Sequence, residues 1–288
     1  MTIKKTVRYF FLLFLTTATL GVDAKKGRPL LKLSPGVVSY TYRKSFEKDI
    51  PGTLDSIKKL GITDIEFSNL FGSTAQQIRY YLDAKGLQCS SFGVSYEDLL
   101  NKTQIVAENA KTLGAKYVRV AWIPHTGDMT LIDMQKTVDF FNTVGKVLKE
   151  QYGLGFIYHN HGFEFQPYHT GTLYDYLVTQ TNPKYVSFEL DILWAFFPGF
   201  DPAALLQKYG QRYKALHLKD LKKGVKGNLS GGTSQENDVA RGTGQIDIPA
   251  VIKAAKKAKI KHFYIEDESS NVTAQVPQSI AYLKSLRK

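Results

Sequence analysis

The chain has 288 residues, of which 43% are hydrophobic and 22% are charged. This composition is typical of a folded globular protein and excludes a chain that is disordered throughout. The formal net charge is +12, but the lysines and arginines are scattered, so we expect no nucleic-acid partner. The single cysteine, Cys89, excludes an internal disulfide, and we interpret it as a buried, unreactive thiol.

The first 24 residues have the pattern of a secretory signal peptide. Lys4, Lys5 and Arg8 precede an apolar run over 9–20, and Ala24 then offers a cleavage site. An uncleaved anchor is the alternative, but this run is well short of the roughly 20 residues that span a bilayer. We therefore predict a periplasmic or secreted protein, with a cleaved signal over 1–24 and one folded domain after it. No stable membrane insertion is expected after cleavage.

The remaining chain, 25–288, repeats a helical stretch, a turn and a short β-rich run. The runs lie within 36–42, 58–67, 83–94, 111–122, 149–160, 181–191, 208–220 and 256–267. Between them, apolar residues recur at helical spacing over 96–113 and 131–152, and prolines at 202 and 249 mark helix starts. This alternation predicts parallel strands joined by crossover helices. Eight units in this length favour a closed (β/α)₈ TIM barrel over an open sheet, which would often carry a glycine-rich phosphate loop.

In a TIM barrel the active site forms at the carboxyl ends of the strands, and polar residues end or closely follow the last four strand-like runs. Among them are Glu164, Asp191, His217 and Glu266. Carboxylates that converge on one mouth repel each other unless a cation neutralises them. Three carboxylates and an imidazole suit Mn²⁺, Mg²⁺, Co²⁺ or Zn²⁺. We predict one such divalent ion, with separate ion pairs at the barrel rim as the alternative.

Other polar residues near this mouth are predicted to bind the substrate. They are Glu66, His125, His159, His161, Trp194 and Lys219. A rim salt bridge is the alternative role for Glu66. His159 and His161 lie two residues apart and therefore share one side of their strand. The polar stretch 227–244, after the seventh run, is too long for a tight connection, and we predict a functional loop or lid there.

Four motifs resemble the sugar phosphate isomerase/epimerase family of xylose isomerase-like TIM barrels. They are YHNHGFEF at 158–165, FELDILW at 188–194, LHLKD at 216–220 and YIEDE at 264–268. The resemblance covers nearly all of the chain after the signal. It implies one divalent ion held by Glu164, Asp191, His217 and Glu266. It also implies that Glu164 and Glu266 are the acid/base pair that removes and returns a carbon-bound proton. A metal ion beside the carbonyl would stabilise the enediolate that forms.

Two positions depart from the related ketose epimerases. Trp194 stands where those enzymes carry a histidine, and Lys219 where they carry a small polar residue. We expect Trp194 to stack on a sugar face and Lys219 to polarise a carbonyl or stabilise an oxyanion. With export, these departures indicate a non-phosphorylated sugar as the substrate.

Four functions remain open. The first is isomerisation or epimerisation of a keto-sugar by proton abstraction next to the carbonyl. The second is a lyase or hydratase of 3-keto-glycosides, because loss of the C2 proton lets the C1 substituent leave. The third is a non-catalytic sugar-binding barrel, and the fourth a metal-dependent nuclease. A homo-oligomer is compatible with each of them.

Overall fold

Eight parallel strands form a closed barrel in the computed structural model, which describes residues 27–31 and 34–288. The strands are β1 Gly36–Val38, β2 Asp64–Phe67, β3 Gln88–Val94, β4 Tyr117–Val120, β5 Gly155–His159, β6 Val186–Asp191, β7 Tyr213–Leu218 and β8 His262–Ile265. Each strand pairs with its neighbours in sequence, and β8 closes the barrel on β1 with Gly36 opposite Tyr264. The predicted TIM barrel is confirmed. The predicted signal at 1–24 lies outside the described residues.

The helices surround the barrel. They are α1 Arg43–Phe46, α2 Ile50–Lys59, α3 Ala75–Lys85, α4 Tyr96–Asn101, α5 Thr103–Leu113, α6 Leu131–Tyr152, α7 Leu173–Gln180, α8 Ile192–Phe196, α9 Pro202–Tyr209, α10 Ile248–Lys257 and α11 Val272–Ser285. Within the described ranges, none of them has the length and apolar character needed to cross a membrane.

Local sequence sets the ends of these helices. The Thr130 hydroxyl accepts from the Asp133 amide at the start of α6, and the Asp133 carboxylate accepts from the Thr130 amide in return. Gly86, Gly114 and Gly153 follow α3, α5 and α6 with left-handed backbone. Such reciprocal N-caps and C-terminal glycines satisfy backbone groups that the helix itself leaves unpaired.

Two elements differ from the sequence prediction. The first strand ends at Val38 instead of at residue 42, and a 3₁₀ helix over Ser39–Tyr42 follows it. The helix expected over 96–113 is divided at Lys102, whose φ of −136° and ψ of 34° are not helical. The Lys102 amide ends α4 on the Asp98 carbonyl, and its own carbonyl accepts from Val106 to begin α5.

The interior of the barrel changes in character along its axis. A small apolar cluster of Val38, Ile157, Ala215 and Tyr264 fills part of it. Buried ionisable side chains fill the rest, at or near the carboxyl ends of the strands: Glu66, Arg119, His159, Glu189, Asp191 and His217. Buried charges are stable only when they are paired or bound to a cation, so this end of the barrel is where function is expected.

The first described residues pack against the end of the chain. Pro29 forms an antiparallel bridge with Arg287, and the Leu30 amide donates to the Leu286 carbonyl at 2.9 Å. The Lys288 amide donates to the Arg28 carbonyl at 3.0 Å. The two segments are thus joined by backbone hydrogen bonds.

Candidate active site

A cleft of about 550 Å³ opens at the carboxyl ends of the strands. Its walls come from the segments that follow the strands, and from four residues of the loop 227–244. The residues that line it include Ser95, Glu97, Arg119, Trp122, His159, His161, Trp194, Gly231, Thr233, Gln235, Glu266 and Glu268. The structure therefore has a cleft of ligand-binding size at the strand ends, where the sequence predicts the active site.

Four buried residues bring potential metal ligands together beside this cleft. They are His159, Asp191, His217 and Glu266, and one ligand atom of each lies within 4.8 Å of the others. His217 Nδ1 lies 2.8 Å from Glu266 Oε2 and 3.8 Å from Asp191 Oδ2. His159 Nε2 lies 3.2 Å from Asp191 Oδ2. We call these four residues the ligand group.

The ligand group fits a divalent cation. His217 Nδ1 is buried and has no hydrogen-bond partner in the described structure, although the Glu266 carboxylate is close. A buried lone pair without a partner is costly, and a cation between the nitrogen and the carboxylates would satisfy all of them. Two imidazoles and two carboxylates are a donor set that Zn²⁺ and Mn²⁺ accept.

A second layer of charge fixes the His217 ring. Its Nε2 lies 2.8 Å from Glu66 Oε1 and 3.0 Å from Glu189 Oε2. This contact directs Nδ1 toward Glu266 and Asp191, as second-shell carboxylates commonly do for metal-bound histidines. Arg119 Nε lies 2.8 Å from Glu66 Oε1. Glu66 therefore contacts His217 on the side of the ring that faces away from the other ligands. It does not line the cleft, although the sequence predicts that it binds the substrate.

These contacts separate the pKa values of two neighbouring carboxyl groups. Burial acts to raise the pKa of Glu66, but Arg119 and His217 outweigh it and lower that pKa to about 2. Burial and the adjacent Glu66 raise the pKa of Glu189 to about 7. Glu189 was not among the predicted site residues. It lies two positions before Asp191 on β6, so strand parity is the signal that would have found it.

Glu164, which the sequence predicts as a metal ligand, is not among the four residues of the ligand group. It belongs to a 3₁₀ turn over Phe163–Phe165, and its Oε1 accepts from Tyr158 Oη and, at 2.8 Å, from the His161 amide. Burial raises the pKa of Glu164 to about 7. Strand β5 ends at His159, and the turn that follows places the Glu164 carboxyl group against the side chain of Tyr158. His159, at the end of the strand, stands in the ligand group instead.

Lys219 is enclosed by carboxylates and does not line the cleft. Its Nζ lies 2.5 Å from Glu268 Oε1, 3.3 Å from Asp238 Oδ2 and 3.6 Å from Glu266 Oε2. These carboxylates outweigh the effect of burial and hold the pKa of Lys219 well above its ordinary value. Burial acts to raise the pKa of Glu266, but Lys219 and His217 keep it well below its ordinary value. Lys219 thus positions Glu266 and Glu268.

The other predicted substrate-binding residues divide into two sets. His161 and Trp194 line the cleft with ring centroids 5.6 Å apart, and His159 lines it as well. His125 does not line it. Its Nδ1 lies 2.7 Å from the Ile123 carbonyl, and its ring stacks on Trp122. Trp122 lines the cleft and was missed, although it follows β4 almost directly.

The loop 227–244 is anchored to the strand ends. Arg241 Nε donates to the Leu218 carbonyl at 2.8 Å, and its Nη1 to Asp267 Oδ2 at 3.1 Å. Asp220, which follows β7, accepts from the amides of Gly242 and Gly244 at 2.9 Å each. Because Asp238 of the same loop contacts Lys219, the loop is part of the site.

The fold and this site define a barrel that acts on a small molecule at its strand ends. The family model of the xylose isomerase-like TIM barrel matches residues 54–286. The chain belongs to this family, and it is an enzyme.

Relatives with known names agree with this family. An inosose dehydratase of Geobacillus kaustophilus is 26% identical over 214 residues, which are 62% of this chain and 67% of that protein. A solved sugar phosphate isomerase/epimerase of Parabacteroides distasonis is 24% identical with a TM-score of 0.71, and the match covers 87% of this chain and 93% of that one. The IolI protein, solved with a bound zinc atom, is 16% identical with a TM-score of 0.69 over 88% of this chain and 95% of its own.

Proposed function

We propose that this chain is a divalent-metal-dependent lyase that removes the proton next to the carbonyl of a non-phosphorylated keto-sugar and expels a substituent. The observation that carries the proposal is the ligand group, open to the cleft through His159 and Glu266. The inosose dehydratase named above supports the choice of an elimination.

The ligand group of His159, Asp191, His217 and Glu266 would hold the ion. When bound, a divalent ion withdraws electron density from the carbonyl oxygen and so acidifies the neighbouring C–H bond. Glu66 and Glu189 keep the His217 ring oriented for this role. Lys219 Nζ lies 3.6 Å from Glu266 Oε2 and positions this carboxylate at the cleft, where Glu266 would accept the proton.

For a 3-keto-glycoside the elimination balances without an oxidant or a reductant. The C2–H bond breaks and its proton passes to Glu266. The C1–O bond then breaks, its electron pair leaves on the oxygen, and that oxygen takes up a proton from water, while Glu266 later returns its own proton to water. A double bond forms between C1 and C2, and the carbonyl at C3 is retained.

The position of Glu164 favours elimination over epimerisation. Epimerisation requires a second group that returns the proton to the opposite face of the sugar, and Glu164 was predicted for this role. One oxygen of its carboxyl group, Oε1, instead accepts from Tyr158 Oη and the His161 amide. Elimination requires one base at this step, and Glu266 supplies it. Isomerisation or epimerisation stays the second candidate because Glu268 is another carboxylate that lines the cleft.

The charges of the cleft favour a substrate without phosphate. Among the described residues that line it, Arg119 is the one lysine or arginine. Its guanidinium is committed to Glu66 at 2.8 Å, whereas Glu97, Glu266 and Glu268 add negative charge. A phosphate group would meet carboxylates without a free cation to bind it.

Turnover in D₂O tests the reaction. Metal-loaded protein is incubated with a 3-keto-glycoside, and the products are followed by NMR and mass spectrometry. We expect release of the C1 substituent and an unsaturated keto-sugar. Deuterium at a carbon next to the carbonyl, with inverted configuration there and an otherwise intact substrate, would instead establish epimerisation. If neither occurs with Mn²⁺, Mg²⁺, Co²⁺ or Zn²⁺, the proposed chemistry is wrong. Glu266→Gln should abolish the reaction.

We also propose that the enzyme is exported, on the strength of the pattern at 1–24. Fractionation of expressing cells, with N-terminal sequencing of the purified protein, tests this. We expect a periplasmic or extracellular protein that begins at Lys25. A cytoplasmic protein that retains Met1 would contradict the proposal.

A further inference from the structure

Trp122 is a large aromatic side chain left half uncovered inside the cleft. It follows β4 and is 48% exposed, yet neighbouring rings hold it. Its ring packs edge-on against Phe163 and His161, with centroids 4.8 Å and 5.2 Å away, and stacks on His125 at 5.2 Å. An exposed aromatic group that its neighbours fix in a concave site is a prepared contact surface.

A row of rings joins Trp122 to the ligand group. The His161 ring lies 5.2 Å from Trp122 and 5.0 Å from His159, which belongs to the ligand group. Trp194 lies 5.6 Å from His161 and is only 7% exposed. A sugar that reacts beside His159 therefore has a second aromatic surface available one ring further along the cleft.

The other walls of the cleft offer hydrogen bonds. Ser95, Glu97, Thr233 and Gln235 line it with hydroxyl, carboxylate and amide groups. A sugar ring presents C–H groups on its face and hydroxyl groups around its edge, so it needs both an aromatic surface and polar partners. A purely apolar ring would leave these polar groups without partners, which is unfavourable.

We propose that Trp122 forms a subsite for a second sugar ring, so that the substrate is a disaccharide-like keto-glycoside instead of a free keto-monosaccharide. The identity of the reacting ring rests on the function proposed above. The second ring is the substituent that elimination would expel. The subsite itself depends on Trp122, on its ring neighbours and on the polar wall.

Binding of unreactive sugars tests the subsite separately from the reaction. Glucose, methyl β-D-glucoside, cellobiose and phenyl β-D-glucoside carry no keto group, so their affinities are independent of turnover. They are titrated into the metal-loaded protein by calorimetry. We expect cellobiose to bind about tenfold more tightly than methyl glucoside, as a stacked ring contact implies. Trp122→Ala should remove this difference and leave methyl glucoside binding unchanged.

Two further variants separate stacking from a general loss of structure. Trp122→Phe keeps an aromatic surface and should retain most of the preference for two rings. The chain has two tryptophans, and both line the cleft. In Trp194→Phe, Trp122 is therefore the remaining tryptophan, and cellobiose should change its fluorescence.

Several results would overturn the subsite. One is equal affinity for methyl glucoside and cellobiose. Another is a Trp122→Ala variant that binds both sugars equally more weakly, and the third is no binding of any of the four sugars. Tighter binding of phenyl glucoside than of cellobiose would assign the subsite to an aryl group instead. Failure of the D₂O experiment with normal cellobiose binding would overturn the proposed reaction and leave the subsite intact.

Discussion

At the residue scale, the ligand group differs from the family-based expectation by one member. His159 ends β5, and its Nε2 lies 3.2 Å from Asp191 Oδ2. Glu164 comes five residues later in a turn and binds Tyr158. An imidazole in place of a carboxylate leaves the site with one less negative charge, which shifts the preference toward ions that accept nitrogen ligands, such as Zn²⁺.

Two matched variants test this assignment. His159→Gln should lower metal affinity by more than the roughly 10–100-fold typical of residues that only support a ligand. Glu164→Gln should keep full metal content, because Glu164 is outside the ligand group and its Oε1 contacts Tyr158 and the His161 amide. Metal content is measured by elemental analysis after dialysis against a weak chelator. The opposite pattern would restore Glu164 as the ligand.

Glu164 also predicts a pH dependence of stability. Burial raises its pKa to about 7 from an ordinary value of 4.5. Its contribution to folding is therefore fully present below the unfolded pKa and is lost as the pH rises through the folded value. The loss corresponds to roughly 3 kcal/mol for the fully buried group.

Denaturant unfolding of the metal-free protein at about pH 5 and pH 8 measures this effect. Wild-type protein should lose more stability over this interval than Glu164→Gln, which cannot ionise. Equal losses in the two proteins would show that the Glu164 carboxyl group titrates in its ordinary range.

Much of the site could be predicted from the strand ends, and the rest depends on side-chain direction. Asp191, His217 and Glu266 are polar residues at or just beyond buried strands, so the barrel brings them together. The direction of Glu164 was not predictable, because a short 3₁₀ turn has no sequence period that fixes which way it faces. Lys219 shares the strand parity of His217, but its enclosure depends on Asp238, and no sequence period predicts how the loop 227–244 folds back onto Lys219.

At the scale of elements, the loop 227–244 is held close to the turn after β5. Gly231 has a φ of +69°, and a Cβ there would lie 2.7 Å from the Phe163 ring. A Cβ on Gly162 would lie 3.2 Å from Gly231 Cα. The two glycines let the loop approach the segment that carries His161, so the loop forms a wall of the cleft.

Gly231→Ala should therefore weaken both the fold and the site. We expect a loss of about 1 kcal/mol or more from the left-handed backbone and the contact with Phe163, and weaker sugar binding. Gly232→Ala is the matched control, because its nearest neighbour is Ser230 Oγ at 4.0 Å. Thermal unfolding and calorimetric titration compare the two variants. If they behave alike, the close approach at Gly231 is unimportant.

The sequence predicted helix ends most accurately where proline or glycine restricts the backbone conformation. Proline stands in the first turn of α9 and of α10 after an aspartate cap, and Gly153 follows the end of the long α6. The break at Lys102 had no such signal, because lysine is a good helix former and the apolar spacing continues across it. Both helices contact α6, but α5 also packs on α3, β3 and β4, and we attribute the break to this tertiary packing.

At the scale of the whole molecule, the barrel gathers many buried charges at one end. Within the ligand group, Asp191 and Glu266 face each other beside two imidazoles. Burial raises the pKa of Asp191, which shows that its charged form is disfavoured there. A bound cation would relieve this cost, so the metal should stabilise the folded chain.

Removal of the metal should lower the melting temperature. An ion present at 100 times its Kd contributes about 2.7 kcal/mol, which corresponds to roughly 5–10 °C for a domain of this size. Scanning calorimetry with and without a strong chelator measures the shift. His217→Ala is the control and should melt at the same temperature in both conditions. A wild-type protein indifferent to the chelator would contradict the metal site.

The bridge between Pro29 and Arg287 has a consequence for the order of the chain. Because residues 27–31 and the last residues are hydrogen-bonded neighbours, a short linker could join them without reaching across the barrel. The joined chain could then be cut at another place, for instance at the exposed His169. This residue lies between two short antiparallel strands, Pro167–Tyr168 and Gly171–Thr172. The ligand group comes from strands and loops that such a circular permutation leaves uncut. Its assembly would then depend on closure of the ring of strands, and not on which unit is made first.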